Sequence, residues 1–280
     1  MPVVWAFEPG LARLSRRLSP PRFSPDWVEV QRVPLILPRL APQFHGYRLV
    51  QISDLHTDIS LTRAHLLHLV ELINQQQPDA VVITGDFVSY DLQPHLEDMV
   101  AAFCRLTPRD ATLAVLGNHD YWVETHLIRQ AFEHCGIIDL SNAVYTVRRA
   151  GAMFHIAGVD DIWEDQHQLD QVLAQLPAAG AAVLLAHEPD FADVSAATGR
   201  FDLQLSGHSH GGQVIIPGWG PLVTTAYGVK YPVGRYRVGS MWVYTNRGLG
   251  ESSIRLRINC RPEITVFTLQ AAELSRANKK

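Results

Sequence analysis

The sequence predicts an α/β fold on three observations. From Gly46 to about residue 140, short continuous apolar runs alternate with stretches of helical period, the pattern of strands covered by helices on both faces. Beyond residue 140 the strand-like runs dominate. The chain has 280 residues, 47% hydrophobic and 19% charged, enough apolar material for one large domain or two small ones.

Residues 1–18 place Val4, Phe7, Leu11, Leu14 and Leu18 at spacings of three and four, with Trp5 beside them and Arg13, Arg16 and Arg17 interleaved. That is the pattern of a basic amphipathic helix, suited either to peripheral contact with a membrane or to docking on its own domain, although Pro9 and Gly10 interrupt it. Residues 19–45 hold Pro20, Pro21, Pro25, Pro34, Pro38 and Pro42 around runs such as VPLILP, and read as an extended lead-in with edge-strand character. The expected division is an arm and lead-in over 1–45, a folded domain over 46–270 and a polar tail over 271–280.

Within the domain, YRLVQIS is a strand. TRAHLLHLVELINQQQ is a helix capped by Thr62, with Leu66, Leu69, Val70 and Ile73 on one face. DAVVIT and ATLAVL are buried strands, and residues 92–106 and 123–134 are helices. In the second half NAVYTVRR, AMFHIAGV, AAVLLAH, FDLQLSG, GQVIIP, SMWVYTN and PEITVFTL are strand-like, with one helix near 166–176. No repeat or low-complexity linker interrupts them.

A net charge of -4 excludes a broad basic surface, so no stable nucleic-acid partner is expected and any phosphate must be held locally. No run of eighteen apolar residues spans a membrane, and the paired arginines of LSRRLSPP lack the apolar segment of a signal peptide. Cys104, Cys135 and Cys260 are too few and too scattered for a disulfide framework, which favours a reducing compartment. The expected location is cytoplasmic, with the 1–18 arm as a candidate contact to the inner face of the membrane. No feature specifies an oligomer.

The strand ends carry the chemistry. The first leads into S-D-L-H-T (Asp54, His56), the second into G-D (Asp86), and the third into G-N-H-D (Asn118, His119, Asp120). AAVLLAH ends in His187, and FDLQLSG runs into G-H-S-H (His208, His210). Each piece alone is weak: Gly-Asp after a strand is commonly a turn, and a lone histidine is commonly a satisfied core residue. Together they offer carboxylate, amide and imidazole without thiolate, a set suited to Mn, Fe or Zn. That many candidate ligands exceed one ion and suit two sharing a carboxylate, roughly 3.5 to 4 Å apart, as in phosphoester hydrolysis.

The blocks D54-x-H56, G85-D86, G117-N118-H119-D120, H187 and G207-H208-S209-H210 resemble the calcineurin-like metallophosphoesterase superfamily over residues 46 to about 270. The stretches GHSHGGQVIIPGWGPL, KYPVGRYRVGSMWVYTNRGLG and RPEITVFTL are similar to its YaeI/YkuE-type phosphodiesterase branch, which includes a UDP-2,3-diacylglucosamine hydrolase of lipid A synthesis. The resemblance implies a four-layer α/β/β/α sandwich. It also implies Asp54, His56 and His210 on one ion, Asp86 bridging, and Asn118, His187 and His208 on the second.

The expected reaction is hydrolysis of a phosphodiester or pyrophosphate by hydroxide bound to the metal pair, with a lipid or nucleotide-sugar-lipid as one candidate substrate. A phosphomonoesterase, a protein phosphatase and a silent binding module of the same fold are the alternatives. His119 is either the acid for the leaving alkoxide or structural, and Asp120 is expected to fix its tautomer. Arg247 is either a phosphate clamp or a surface residue. Asp160 and Asp161 are expected to form a cap or turn. The stretch from Gln213 to Tyr236, with Ile215, Ile216, Trp219, Leu222, Val223, Tyr227, Val229 and Tyr231, is either an apolar wall or sandwich core, and Gly211 and Gly212 let the chain turn away from the site.

Overall fold

Two six-stranded sheets face each other across a shared apolar layer. The structure, a computed structural model, describes residues 27–222, 224–252, 255–272 and 274. The expected amphipathic arm at 1–18, Val223 and most of the polar tail lie outside the described residues.

In chain order the first half comprises β1 (Glu29–Leu37), β2 (Tyr47–Ile52), α1 (Arg63–Gln75), β3 (Ala80–Thr84), α2 (Leu96–Phe103), β4 (Ala111–Val115), the single turn α3 (Asn118–Tyr121), α4 (Thr125–Cys135) and β5 (Ile137–Asp139). The second half comprises β6 (Ala143–Arg149), β7 (Ala152–Gly158), α5 (Leu169–Gln175), β8 (Ala181–Leu185), α6 (Ala192–Ala197) and β9 (Leu203–Ser206). After these come the short β10 (Ile215–Ile216) and β11 (Gly220–Pro221), then β12 (Gly234–Val238), β13 (Met241–Thr245) and β14 (Glu263–Ala271).

The first sheet has the order β1-β14-β2-β3-β4-β5 and the second β12-β13-β9-β8-β7-β6. Strands β2 to β5 run parallel, as do β7, β8, β9 and β13. Alternation along each strand sets the layers. In the first sheet Val50, Ile52, Val81 and Ile83 face Leu66, Leu69 and Ile73 of α1, with α2 and α4 beside it. On the opposite face Leu49, Val82, Leu113 and Val115 meet Phe154, Ile156, Val183 and Leu205 of the second sheet. Ala182, Leu184 and Val243 then turn outward to Val172 of α5 and Ala192 of α6. This is the four-layer α/β/β/α sandwich.

Local signals explain most boundaries. Thr62 caps α1, its hydroxyl accepting the His65 N–H, as its position before the apolar period requires. The helix expected over 92–106 is shortened to α2, because Pro94 sits in a separate 3₁₀ turn and Cys104 already caps the end. Gly136, at φ 67°, ends α4.

Residues 29–37, read as an extended lead-in with edge-strand character, are the edge strand β1, which pairs with β14 along its whole length, so the first sheet begins at Glu29. Two expectations change. GQVIIP forms only the two-residue β10, because Val214 makes a separate bridge to Ile258. Cys104 and Cys135 are bridged, tying the end of α2 to the last residue of α4, which removes the ground for a reducing compartment. Cys260 is free and buried. Among the described residues, no helix is long and apolar enough to cross a membrane.

Candidate metal centre

The site lies at the ends of parallel strands from both sheets. Asp54 and His56 follow β2, Asp86 follows β3, Asn118 opens α3 after β4, His187 follows β8, and His208 and His210 follow β9. Five of these residues have left-handed backbone: Asp54 (φ 49°), His56 (43°), Asp86 (56°), His208 (69°) and His210 (51°). Non-glycine residues are uncommon there, and such strain concentrates at functional sites. Gly211 and Gly212 continue in the same region, at φ 59° and 79°, and carry the chain away from the cluster.

The side chains form two groups that could each hold an ion. Asp54, His56, Asp86 and His210 converge in one and Asp86, His187 and His208 in the other, with the ligand atoms of each group within 4.8 Å of one another. Asp86 belongs to both. Its Oδ2 is 3.5 Å from His56 Nε2 and 3.2 Å from His187 Nε2, while His210 Nε2 is 3.4 Å from Asp54 Oδ1.

Each ring is turned by a bond on its far nitrogen. His56 Nδ1 lies 2.6 Å from Ser89 Oγ, His187 Nδ1 is 2.7 Å from the Thr84 carbonyl, and His208 Nε2 is 2.8 Å from the Ala226 carbonyl. This leaves His56 Nε2, His187 Nε2 and His208 Nδ1 for the cluster, the arrangement used to orient metal-ligating imidazoles. Asn118 Oδ1 and His187 Nε2 are buried without a hydrogen bond, the latter with only the Asp86 carboxylate beside it. Buried polar atoms without hydrogen bonds, in a site of carboxylates and imidazoles, fit a pair of divalent cations, which would supply the missing bonds.

Electrostatics agree. Burial pushes Asp54 up to about 7, against the pull of His187 and with help from Asp86. At Asp86 burial also raises the pKa, but His187, His119 and His56 outweigh it and hold the carboxyl well below its usual range. Burial lowers His56, to about 3, and His208 and His210 as well. Burial would lower His187 too, yet the Asp86 and Asp54 carboxylates hold it well above the ordinary histidine value. Facing carboxylates among imidazoles whose pKa is mostly lowered by burial suit cations.

The remaining residues separate. His119 is half-buried, its backbone N–H donating to Asp86 Oδ1 at 3.0 Å and its ring edge-on to His56 at 4.9 Å. Asp120 does not touch that ring, contrary to expectation: its carboxylate accepts the backbone N–H groups of Asp86 (3.0 Å), Phe87 (2.8 Å) and Gly117 (2.9 Å). The turn of α3 points the side chain back past its own N-cap, Gly117, to the loop after β3 that carries the Asp86 and Phe87 donors. Arg247 is not available as a phosphate clamp, because its guanidinium is held by Glu263 and, at 2.9 Å, by Glu29.

The guanidinium near the cluster is Arg257, buried, with Nη2 3.4 Å from His210 Nδ1 and bonded to the carbonyls of Arg247 (2.8 Å) and Gly250 (2.6 Å). Nothing in RLRINC, which follows no strand, signals it. Asp160 and Asp161 form a turn as expected: Asp161 accepts the Glu164 N–H at 2.7 Å, and Asp160 accepts the Tyr121 hydroxyl at 2.7 Å. Burial and Glu188 beside it push Asp161 up to about 9. In the stretch from Gln213 to Tyr236, Ile216, Trp219, Leu222 and Val229 are exposed, so much of it is surface rather than core.

Comparison with known proteins agrees with this geometry. The chain is 35% identical over 231 residues to the uncharacterized metallophosphoesterase YkuE of Bacillus subtilis, covering 81% of this chain and 80% of that one. It is 30% identical over 251 residues to phosphodiesterase YaeI of Escherichia coli, covering 88% and 89%. The sulfate thiohydrolase SoxB of Thermus thermophilus shares the fold at 14% identity, with a TM-score of 0.50 over 82% of this chain and 57% of that one. Residues 47–212 match the calcineurin-like phosphoesterase family. The chain belongs to that family, in the branch of YkuE and YaeI, and is a hydrolase of phosphoester bonds that carries a dinuclear divalent metal site.

Proposed function

We propose that the protein hydrolyses phosphodiesters, with Asp54, His56 and His210 on one ion, Asn118, His187 and His208 on the other, and Asp86 between them. The observation that carries this reading is the pair of ligand groups sharing one carboxylate, in a chain 30% identical to a phosphodiesterase. Bound, two divalent ions make water nucleophilic near neutral pH and neutralise the phosphate oxygens. Mn, Fe or Zn suits the donor set.

The chain's own residues then position and exchange protons. The carboxylate of Asp120 fixes the loop bearing Asp86 from behind, and the His119 backbone N–H fixes Asp86 Oδ1 from the front. The His119 ring, half-buried beside His56, is placed to hold a proton for the departing alkoxide. The exposed apolar residues Ile216, Trp219, Leu222 and Val229, in the segment that follows the His208–His210 loop, support an amphiphilic substrate, a lipid or nucleotide-sugar-lipid among them.

The test is metal analysis with rates on bis(p-nitrophenyl) phosphate, p-nitrophenyl phosphate and UDP-2,3-diacylglucosamine, with Mn added. Faster turnover of the diester is expected. A preference for the monoester sinks the phosphodiesterase reading, and inertness on the sugar lipid removes that substrate.

A further inference from the structure

The rings around the metal centre continue past the ligands. His119 lies against Trp122, with centroids 4.3 Å apart, and Trp122 meets Trp163 edge-on at 6.4 Å. Trp163 in turn is 5.7 Å from His208 and 6.0 Å from Tyr227. Since His119 is itself 4.9 Å from His56, the two tryptophans bridge the mouth from one metal group to the other.

These residues are held in place without being core. Trp122 is 49% exposed, yet its indole N–H is fixed by Glu164 Oε1 at 2.9 Å. Trp163 is half-buried, its backbone N–H donating to Glu188 Oε1 at 3.1 Å. Tyr227 has φ 61°, a conformation that a bulky residue keeps only under constraint. The constraint is visible: Asp190 donates its N–H to the Tyr227 carbonyl, its carboxylate accepts the Val229 and Lys230 N–H groups, and the preceding carbonyl, of Ala226, receives His208 Nε2. The segment that presents Tyr227 to Trp163 is therefore tied to a candidate metal ligand.

We propose that this arc is a subsite for a flat aromatic ring on an ester group of the substrate, with Trp122 as its stacking surface. The proposal rests on the phosphodiesterase reading, because the ring must be carried on a phosphoryl group held by the metals. Rigid aromatic side chains offer a face at little entropic cost, and a flat ring gains stacking energy that a puckered one of equal size does not. The groups fixing the arc are the carboxylates of Glu164, Glu188 and Asp190. They would repel a second phosphate, so the arc suits an organic ester group rather than the far half of a pyrophosphate.

Benzylphosphonate and cyclohexylmethylphosphonate carry the same anionic head and rings of similar size, only one of them flat. Calorimetric titration of the Mn-loaded protein is expected to show about three- to tenfold tighter binding of the benzyl compound. Trp122→Leu is expected to bring the two Kd values within about twofold, and Trp122→Phe to keep the preference. Equal or tighter binding of the cyclohexyl compound, a Trp122→Leu variant that weakens both and preserves their ratio, or no binding of either overturns the proposal. Hydrolysis of bis(p-nitrophenyl) phosphate is measured on the same samples. A failed phosphodiesterase reading then shows as absent turnover, whereas a failed subsite shows as turnover without ring preference.

Discussion

The carboxylate of Asp120 accepts the backbone N–H of Asp86 at 3.0 Å, so the carboxylate shared by both metal groups is fixed through its own main chain. The same side chain takes the N–H groups of Phe87 and Gly117. Asp120→Ala leaves several buried donors unpaired at about 1–3 kcal/mol each, and urea unfolding should show a loss of at least about 3 kcal/mol. Asp120→Asn, which keeps one acceptor oxygen, should lose less. Unchanged stability with a displaced pH–rate profile would instead restore a role in orienting His119.

His119→Ala tests the proton donor. The side chain is absent from both ligand groups, so metal content should stay at the wild-type level while kcat on a diester with a poor leaving group falls about 10²- to 10⁴-fold. A variant retaining wild-type kcat would remove the acid role.

Ion binding should release protons in a pattern set by the carboxylates. In the metal-free protein the Asp86 and Asp54 carboxylates hold His187 above its ordinary value and favour its charged form, whereas burial lowers His56, His208 and His210 and favours their neutral form. Only a neutral imidazole binds a cation, so entry of the second ion expels a proton from His187, and Asp54, at about 7, gives up a further fraction. Affinity therefore falls as pH drops below the raised value of His187, while the three lowered histidines contribute nothing until far more acidic pH. Calorimetry in two buffers of different ionisation enthalpy should count one to two protons per pair of ions, on the order of the linkage expected for such ligands. A count near zero would show that His187 is neutral before the metal arrives.

The Cys104–Cys135 bridge closes a segment of 31 residues between two outer helices. Replacing both by serine should lower stability by about 2–4 kcal/mol, read as a lower midpoint in urea. Alkylation of the unreduced native protein should label neither residue. Labelling of both would show the thiols free.

Much of the sandwich is legible because β3, β4 and β8 are short, nearly unbroken apolar runs and β2 and β9 are largely apolar, each ending just before a ligand. Strand β5 and helix α6 escape such reading, since three and six residues are too short to display a period. The role of Asp120 escapes for another reason: spacing identifies a residue near the site, but the turn of α3 decides which way its carboxylate points. Arg247 and Arg257 are ten residues apart, and only the fold shows that Glu29 and Glu263 take the first and the cluster faces the second. The disulfide has no spacing signature, because it depends on how α2 and α4 lie together. Trp122 lies two residues beyond the GNHD block, a signal within reach, but its partner Trp163 comes from the turn that follows β7 of the other sheet.

Each ligand group draws on both sheets: His210 joins three residues from the first sheet, and Asp86 joins two from the second. Neither half of the chain can assemble a complete ion site alone. During synthesis an ion can be captured only after the loop at residues 207–210 has emerged and docked, when three-quarters of the chain is made. The strand that fills the first sheet, β14, comes later still. Metal loading is thus a late event, and an occupied pair of sites would report that both layers have found each other.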